Sequence, residues 1–207
     1  GRAARGDLGN SIYFQTPVAH VIGERIGITL QLGFMALIFA ICLAVPLGVL
    51  AGSRPNSWLD RMALGLALVG QAVPSFWLAL LMILFFGVQL RLLPISGSGT
   101  LLHFVMPMIV LGYYATPAIM RLTRAGMIDV LQSDYIRTAY AKGLPARSVI
   151  FKHALRNAII PVVALAAVQF GLMLGGSIIV ETIFSLQGVG HLAWVSISRF
   201  DFPVVQG

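Results

Sequence analysis

The chain has 207 residues, of which 58% are apolar and only 10% are charged, and its formal net charge is +7. Soluble domains carry about 25% charged residues, so this composition excludes a water-soluble globular protein and indicates a protein of the lipid bilayer. The positive charge does not indicate nucleic-acid binding, because its placement around the membrane matters more than its sum. The single cysteine, Cys42, excludes a disulfide framework, and the four histidines show no metal-ligand spacing.

Four apolar stretches are long enough to form transmembrane helices, which need about 20 residues to cross a hydrocarbon core of about 30 Å. The predicted spans are residues 26–52, 62–89, 103–120 and 158–182. The third is the shortest, and we expect it to continue as helix beyond the membrane surface. No run shows the polar and apolar alternation of a transmembrane β-strand. The predicted fold is therefore an all-α, polytopic transmembrane helical bundle.

The basic residues divide the connecting segments into two sides. Residues 53–61 carry two of them, and residues 121–157 carry seven of the 14 Lys and Arg residues in the chain. The other side has Arg2, Arg5, Arg25, Arg91 and Arg199. Nine basic residues thus oppose five. The positive-inside rule places residues 53–61 and 121–157 in the cytoplasm and both ends of the chain outside.

The ends of the chain indicate a fragment. It starts at Gly1 rather than Met, shows no signal peptide and stops at Gly207 without a closing element. We expect a single transmembrane domain over residues 1–207 that lacks at least one span at each end. The alternative is a complete chain that is exported by an unseen leader.

The basic segment of residues 121–157 has a sharp internal break at Gly143. Ser133 or Asp134 can cap a helix, Gly143 suits the end of that helix, and Pro145 suits the first turn of the next. The predicted structure is a short helix, a tight turn and a second helix that runs into the fourth span. The apolar residues of the first helix recur at helical spacing; they are Ile136, Ala139, Tyr140, Gly143 and Leu144.

A helix of this kind can dock in a groove of another protein or rest on anionic lipid. The small residues Ala139, Ala141 and Gly143 favour the protein partner, because lipid binding favours bulky apolar anchors.

Polar residues and prolines are the remaining features of the spans. Candidates for lining a translocation pathway are Gln71, Tyr113, Gln169 and Glu181, with Tyr114 and Ser177. They can equally tie helices together. Glu181 is a functional candidate because an ionisable group is costly at membrane depth, but it can also lie in water at the helix end. The prolines indicate either bent helices around a pathway or ordinary helix packing.

The stretch DYIRTAYAKGLPARSVIFKHALRNAIIPVV resembles the EAA loop of bacterial ABC importer permeases, in the form typical of the dipeptide/oligopeptide family. The segments GDLGNSIYFQTPVAHVIGERIGITLQL, QAVPSFWLALLMILFF, RLLPISG and ETIFSLQGVGHLAWVSISRFDFPVVQG are also similar to that family and follow in the right order. Arg137 departs from the general EAA pattern, which has an acidic residue there. The resemblance implies an ATPase-coupling loop made of Asp134, Tyr135, Ile136, Arg137, Thr138, Ala139, Ala141, Lys142, Gly143 and Leu144.

The resemblance also implies the setting of the chain. The family has a core of six helices, so this chain would hold helices two to five of a multi-pass protein of the bacterial cytoplasmic (inner) membrane. Implied partners are two cytoplasmic ATPase subunits, a homologous permease subunit and a periplasmic or extracellular substrate-binding protein. Relatives import dipeptides, longer peptides, glutathione or metal complexes, which leaves the cargo open.

The chain itself is not expected to be an enzyme. It has no GxxxxGK[ST] phosphate loop, so ATP hydrolysis belongs to a separate subunit, and no catalytic residue, cofactor or metal is predicted. The alternative function is an ion-coupled secondary transporter, which usually has ionisable groups inside its spans; these spans are almost free of them. An intramembrane hydrolase would need a nucleophile and a base at membrane depth, and the sequence offers no such pair.

Overall fold

The computed structural model describes residues 8–206, and helices make up most of them, which confirms the all-α fold class. Arg2 and Arg5, used above in the charge count, and the outermost residues of the two terminal sequence matches lie outside the described residues. The helices are α1 (Val18–Ser53), α2 (Trp58–Ala72), α3 (Ser75–Met82), α4 (Leu102–Leu131), α5 (Asp134–Ala141), α6 (Ala146–Ser148), α7 (Leu155–Ala158), α8 (Ile160–Ile183), α9 (Val189–Ser198) and α10 (Phe202–Gln206). Two π-helical segments, Ile83–Gln89 and Val149–Ala154, follow α3 and α6.

Among the helices of residues 8–206, three are long and apolar enough to cross a membrane, namely α1, α4 and α8. The first begins at Val18, well before the predicted start at residue 26. The third predicted span is one helix from Leu102 to Leu131, which confirms that it continues beyond residue 120.

The second predicted span, residues 62–89, is a bent pair of helices, and bent helices were one of the two interpretations of the prolines in the spans. The chain leaves helical geometry at Val73, whose backbone is extended (φ −86°, ψ 120°). The cause is Pro74, because the ring of a proline disfavours helical geometry in the residue before it. The helix restarts at Ser75, so α2 and α3 form a fourth candidate span only when the bent pair is counted together.

The chain divides into two compact units. Of the described residues, unit 1 contains 8–36, Ser75–Leu111 and 172–206, and unit 2 contains Leu37–Pro74 and Gly112–Gly171. The helices α1, α4 and α8 contribute residues to both. The assignment of residues 1–207 to a single permease domain stays a prediction.

Unit 2 is held together by one apolar cluster and by close helix contacts. The buried cluster consists of Val49, Met127, Ile136, Ala139, Val149, Ala154 and Ala158. Glycines bring α1 onto α4: a Cβ atom added to Gly48 would lie 2.6 Å from the Cβ of Thr123, and one added to Gly52 would lie 2.6 Å from the Cβ of Met127. Small residues at this spacing let two helix backbones approach closely.

Unit 1 has a smaller cluster, made of Val18, Val21, Leu192 and Val204. Its polar centre is Asp201, which is buried and accepts hydrogen bonds from the backbone N–H of Ile12 (3.1 Å) and Tyr13 (3.3 Å) and from the hydroxyl of Ser11. The segment before α1 is thereby fastened to the turn between α9 and α10.

Candidate functional site

The basic segment after α4 folds as the predicted helix, turn and helix. Ser133 stands at the N-cap position of α5 with an extended backbone. Its hydroxyl donates to the carbonyl oxygen of Val130 at 2.6 Å instead of accepting a hydrogen bond from the start of α5. Ser133 therefore occupies the predicted cap position without making the capping bond.

Gly143 ends α5, as predicted. Its φ angle is +77°, a conformation that glycine adopts without steric cost. The N–H of Gly143 donates to the carbonyl of Tyr140 at 2.9 Å, and the N–H of Leu144 donates to the carbonyl of Ala139 at 3.3 Å. This pair of bonds is the Schellman motif of helix ends. A Cβ atom on Gly143 would meet nothing within 4 Å, so the backbone angle, and not space, requires glycine.

The second helix starts one residue later than predicted. Pro145 lies at the N-cap of α6 instead of in its first turn, and its carbonyl accepts the N–H of Ser148 at 2.9 Å. The chain then continues through the π-helical segment and α7 towards α8. The side chain of Asn157 donates to the hydroxyl of Tyr135 at 2.7 Å, which links α7 to α5.

The ten residues predicted to form the coupling loop divide by exposure. Ile136 and Ala139 are only 0% and 8% exposed and belong to the apolar cluster of unit 2. The other eight are exposed: Asp134, Tyr135, Arg137, Thr138, Ala141, Lys142, Gly143 and Leu144. The predicted apolar stripe is therefore split, because Tyr140 (46% exposed), Gly143 and Leu144 (37%) are exposed, whereas the core covers only Ile136 and Ala139.

The exposed face of this segment is basic. Its exposed cations are Arg137, Lys142, Arg147, Lys152 and Arg156. Asp134 lies 3.5 Å from Arg137, and both side chains are largely exposed, so this ion pair contributes little to stability. The arrangement is an anchored helix that presents tyrosine, leucine and positive charge outward.

The buried face of α5 belongs to a packed region that includes α4 and α7. A Cβ atom on Gly126 of α4 would lie 3.0 Å from the carbonyl oxygen of Ala158 of α7, so these backbones are in close contact. Met127, the next residue of α4, packs in the cluster that buries Ile136 of α5. A displacement of α5 must therefore move or deform α4 and α7, because packed interiors have few voids to absorb it.

An ion pair that was not predicted from the sequence joins Asp60 at the start of α2 to Arg124 on α4. Asp60 is 2% exposed, and its two carboxylate oxygens accept from Nε of Arg124 at 2.5 Å and from Nη2 at 2.7 Å. The carboxylate also accepts the N–H of Asn56 at 2.8 Å, while the hydroxyl of Ser57 accepts the N–H of Asp60 at 3.3 Å. The signal in the sequence was a lone acidic residue in the basic loop SRPNSWLDR.

Two of the predicted pathway residues, Gln71 and Tyr113, connect α2 with α4. The side-chain oxygen of Gln71 accepts from Arg121 at 3.0 Å, and the hydroxyl of Tyr113 donates to the carbonyl oxygen of Val69 at 3.3 Å. Tyr113 also lines an apolar cavity of about 180 Å³ within unit 2. Both residues therefore make the helix-tying contacts that were the alternative to lining a pathway.

The other two predicted pathway residues lie on α8. Gln169 is half-buried and belongs to unit 2, whereas Glu181 belongs to unit 1 and is fully buried. The carboxylate of Glu181 accepts from the hydroxyl of Thr29 at 2.8 Å and from the N–H of His191 at 2.9 Å. The oxygen of Thr29 in turn accepts the N–H of Val189 at 2.8 Å. Glu181 and Thr29 thus accept hydrogen bonds from the N–H groups of His191 and Val189 in the first turn of α9. Glu181 is buried and does not lie in water.

Comparison with known proteins gives a consistent result. The model of the family described as "Binding-protein-dependent transport system inner membrane component" matches residues 44–207. The chain is 41% identical over 204 residues to the glutathione transport system permease protein GsiC of Escherichia coli, covering 99% of this chain and 67% of that protein. It is also 41% identical over 202 residues to GsiC of Pectobacterium atrosepticum, covering 98% of this chain and 66% of the relative.

Solved structures share the fold. An inward-facing conformation of the MetNI methionine ABC transporter has a TM-score of 0.70 at 20% identity, covering 86% of this chain and 81% of that chain. An amino acid ABC transporter has a TM-score of 0.64 at 16% identity, covering 90% and 83%. The chain spans about two thirds of the length of the GsiC relatives, so what it shares with them concerns that part.

Proposed function

This chain belongs to the family of inner-membrane components of binding-protein-dependent transport systems, and we propose that α5 and its Gly143 turn form the surface that binds an ATPase subunit. The family membership confirms the resemblance to the peptide-type ABC importer permeases. The chain is accordingly a membrane-spanning transport subunit, and ATP hydrolysis takes place on a different subunit.

The observation that carries the coupling proposal is the division of α5 into an anchored face and a free face. Ile136 and Ala139 fix the helix to the core, and Tyr140, Leu144 and the cations beside them remain exposed. Aromatic residues and Arg are typical of the energetically important centre of protein interfaces. The apolar contacts hold the helix in one orientation, so that a push on its outer face reaches the core.

Partners and orientation follow as parts of the same proposal. The segments that contain α5 and residues 53–61 would face the cytoplasm, where two ATPase subunits would bind, and a second, homologous permease subunit would complete the membrane part. A substrate-binding protein would deliver the cargo on the opposite side. The pathway role of Gln71, Tyr113, Gln169 and Glu181 also remains a proposal.

For the cargo, we propose a small peptide of the glutathione type. The support is the 41% identity to a protein named as a glutathione transport permease over almost the whole of this chain. The described residues add no cargo contact of their own, so the support lies in that relationship.

Site-specific crosslinking tests the coupling surface. A cysteine replaces Tyr140 in the assembled transporter, with Cys42→Ser as background, and a photoactivatable label is attached. We expect the label to capture the ATPase subunit, because Tyr140 is exposed on the free face of α5. The matched control is Ala139→Cys: Ala139 is next to Tyr140 in the sequence but is buried, so the label there should capture little.

Capture of phospholipid alone at Tyr140 would reject the coupling surface and leave the lipid-resting interpretation of the helix. The same transporter in proteoliposomes, given radiolabelled glutathione with the binding protein, should accumulate it only with ATP. Accumulation of glutathione without ATP would contradict the importer mechanism.

A further inference from the structure

The ion pair between the buried Asp60 and the partly buried Arg124 lies outside the coupling loop and outside the predicted pathway. We propose that Asp60 and Arg124 are positioning residues that make α2 follow α4 when the coupling helix α5 is displaced. This inference rests on the proposed coupling role of α5 and adds to it the route by which movement reaches α2, the first helix of the second predicted span.

The first step of the route joins α5 to α4 near Arg124. Met127, three residues after Arg124, is buried in the cluster that contains Ile136 and Ala139 of α5. Residues three apart on a helix lie on the same face, one turn from each other. Movement of α5 is therefore passed to the turn of α4 from which the guanidinium of Arg124 projects.

The second step joins α4 to α2. The guanidinium of Arg124 makes two parallel bonds to the carboxylate of Asp60, at 2.5 and 2.7 Å. A bidentate pair of this kind fixes orientation as well as distance, and a partly buried pair is screened less by salt than an exposed one. The bonds from Arg121 to Gln71 and from Tyr113 to Val69 also join α4 to α2, but both are exposed and neither pairs opposite charges.

The third step stiffens the segment that Asp60 holds. Asn56, in a left-handed conformation with φ +64°, donates its N–H to the carboxylate of Asp60, and Ser57 caps α2 through the N–H of Asp60. The turn before α2 and the first turn of α2 are thus fixed to the same carboxylate. The turn and the start of α2 should therefore move together with α4.

The test uses two reporters in the assembled transporter in proteoliposomes, on the Cys42→Ser background. One spin label is placed at Leu68→Cys on α2 and another at Tyr140→Cys on α5, since both side chains are exposed. With the native pair, ATP plus vanadate should change both spectra. With Asp60→Asn, we expect the response at Leu68 to fall by roughly half or more, because a neutral amide cannot make both charge-assisted bonds. The response at Tyr140 and the amount of bound ATPase should stay unchanged.

A second variant and a control keep the test independent of folding. Arg124→Lys retains the charge but not the paired geometry, so it should also lower the response at Leu68 selectively. Asp129→Asn removes an exposed carboxylate from the same helix and should change neither reporter. Full responses at both reporters in Asp60→Asn and Arg124→Lys would overturn the positioning role. A silent Tyr140 reporter with the native pair would instead overturn the coupling role of α5 itself.

Discussion

The two units each bury carboxylates, and they hold them differently. In unit 2, Asp60 is 2% exposed and forms a bidentate ion pair with Arg124. In unit 1, Glu181 is 0% exposed and accepts bonds from the hydroxyl of Thr29 and the N–H of His191. Within residues 8–206, no Lys or Arg forms an ion pair with Glu181. One carboxylate is balanced by a cation and the other by neutral donors.

Asp201, a second buried carboxylate in unit 1, is also held by neutral donors. It is 1% exposed and accepts two backbone N–H groups and the hydroxyl of Ser11. Arg199, only two residues away, lies instead over the ring of Tyr13, with its guanidinium carbon 3.8 Å from the ring centroid. A nearby cation is thus used for stacking while the carboxylate is satisfied by the backbone.

The comparison shows two solutions to the cost of burying charge. The start of a helix has N–H groups without partners and a partial positive charge, so a carboxylate there removes two costs at once. Glu181 does this for α9, and its other donor is the neutral hydroxyl of Thr29 on α1. The carboxylate of Asp60 also lies in a first helical turn, that of α2, but its additional cation comes from α4. Its charge therefore joins two helices that are distant in sequence.

Removing the cation should have the largest effect on stability. We expect Arg124→Met to destabilise the protein by about 3–5 kcal/mol, because it leaves Asp60 buried without its counter-charge. Thermal unfolding in detergent measures the loss. Arg121→Met is the matched control, since Arg121 lies one turn earlier on α4, is exposed, and makes one bond to Gln71. Its loss should be about 1 kcal/mol or less. Equal losses would mean that the ion pair between Asp60 and Arg124 contributes no more to stability than the exposed hydrogen bond does.

The second largest loss of stability is expected from a substitution in the first turn of α9, where that helix packs against α8. A Cβ atom on Gly190 would lie 2.8 Å from the Cα atom of Ile178 and 3.0 Å from a carboxylate oxygen of Glu181. Since a backbone atom cannot move aside cheaply, Gly190→Ala should cost about 1–3 kcal/mol. The control is Gly175→Ala on α8, where a Cβ atom meets nothing within 4 Å.

Unfolding midpoints of the two alanine variants, measured side by side in the same detergent, decide this point. A Gly190→Ala variant as stable as Gly175→Ala would show that α9 can withdraw from α8 without loss. In that case Glu181 would not hold the helix in a fixed position, and the contrast with Asp60 would be weaker than the geometry indicates.

The local structure of the coupling segment could be predicted because its signals are short-range. Gly143 followed by Pro145 marks the end of one helix and the beginning of the next, whatever surrounds them. The signal for the break at Pro74 was equally local, but the sequence left open which of the prolines in the spans bends its helix. The apolar stripe of α5 was harder, since periodicity shows that residues share a face and not which of them the core covers.

The ion pair and the cap depend on contacts between distant residues. Asp60 and Arg124 are 64 residues apart, and Thr29 and Glu181 are 152 apart. A single sequence contains no information on which of the 14 basic residues approaches Asp60. For Glu181 the sequence left burial and solvent exposure equally open, and only the position of α9 decides between them.

The smallest effect is expected at Glu181 itself, and it defines the comparison most sharply. In Glu181→Gln, the amide oxygen can still accept from the N–H of His191, and the amide N–H₂ can donate to the oxygen of Thr29. The loss is then mainly the charge–dipole attraction, about 0.3–1 kcal/mol. Glu181→Leu leaves the helix start without its acceptor and should cost about 1–3 kcal/mol. Unfolding midpoints of the two variants should therefore be well separated. If Glu181→Gln were as damaging as Glu181→Leu, the negative charge itself would be required, and Glu181 would resemble Asp60 in depending on ionisation.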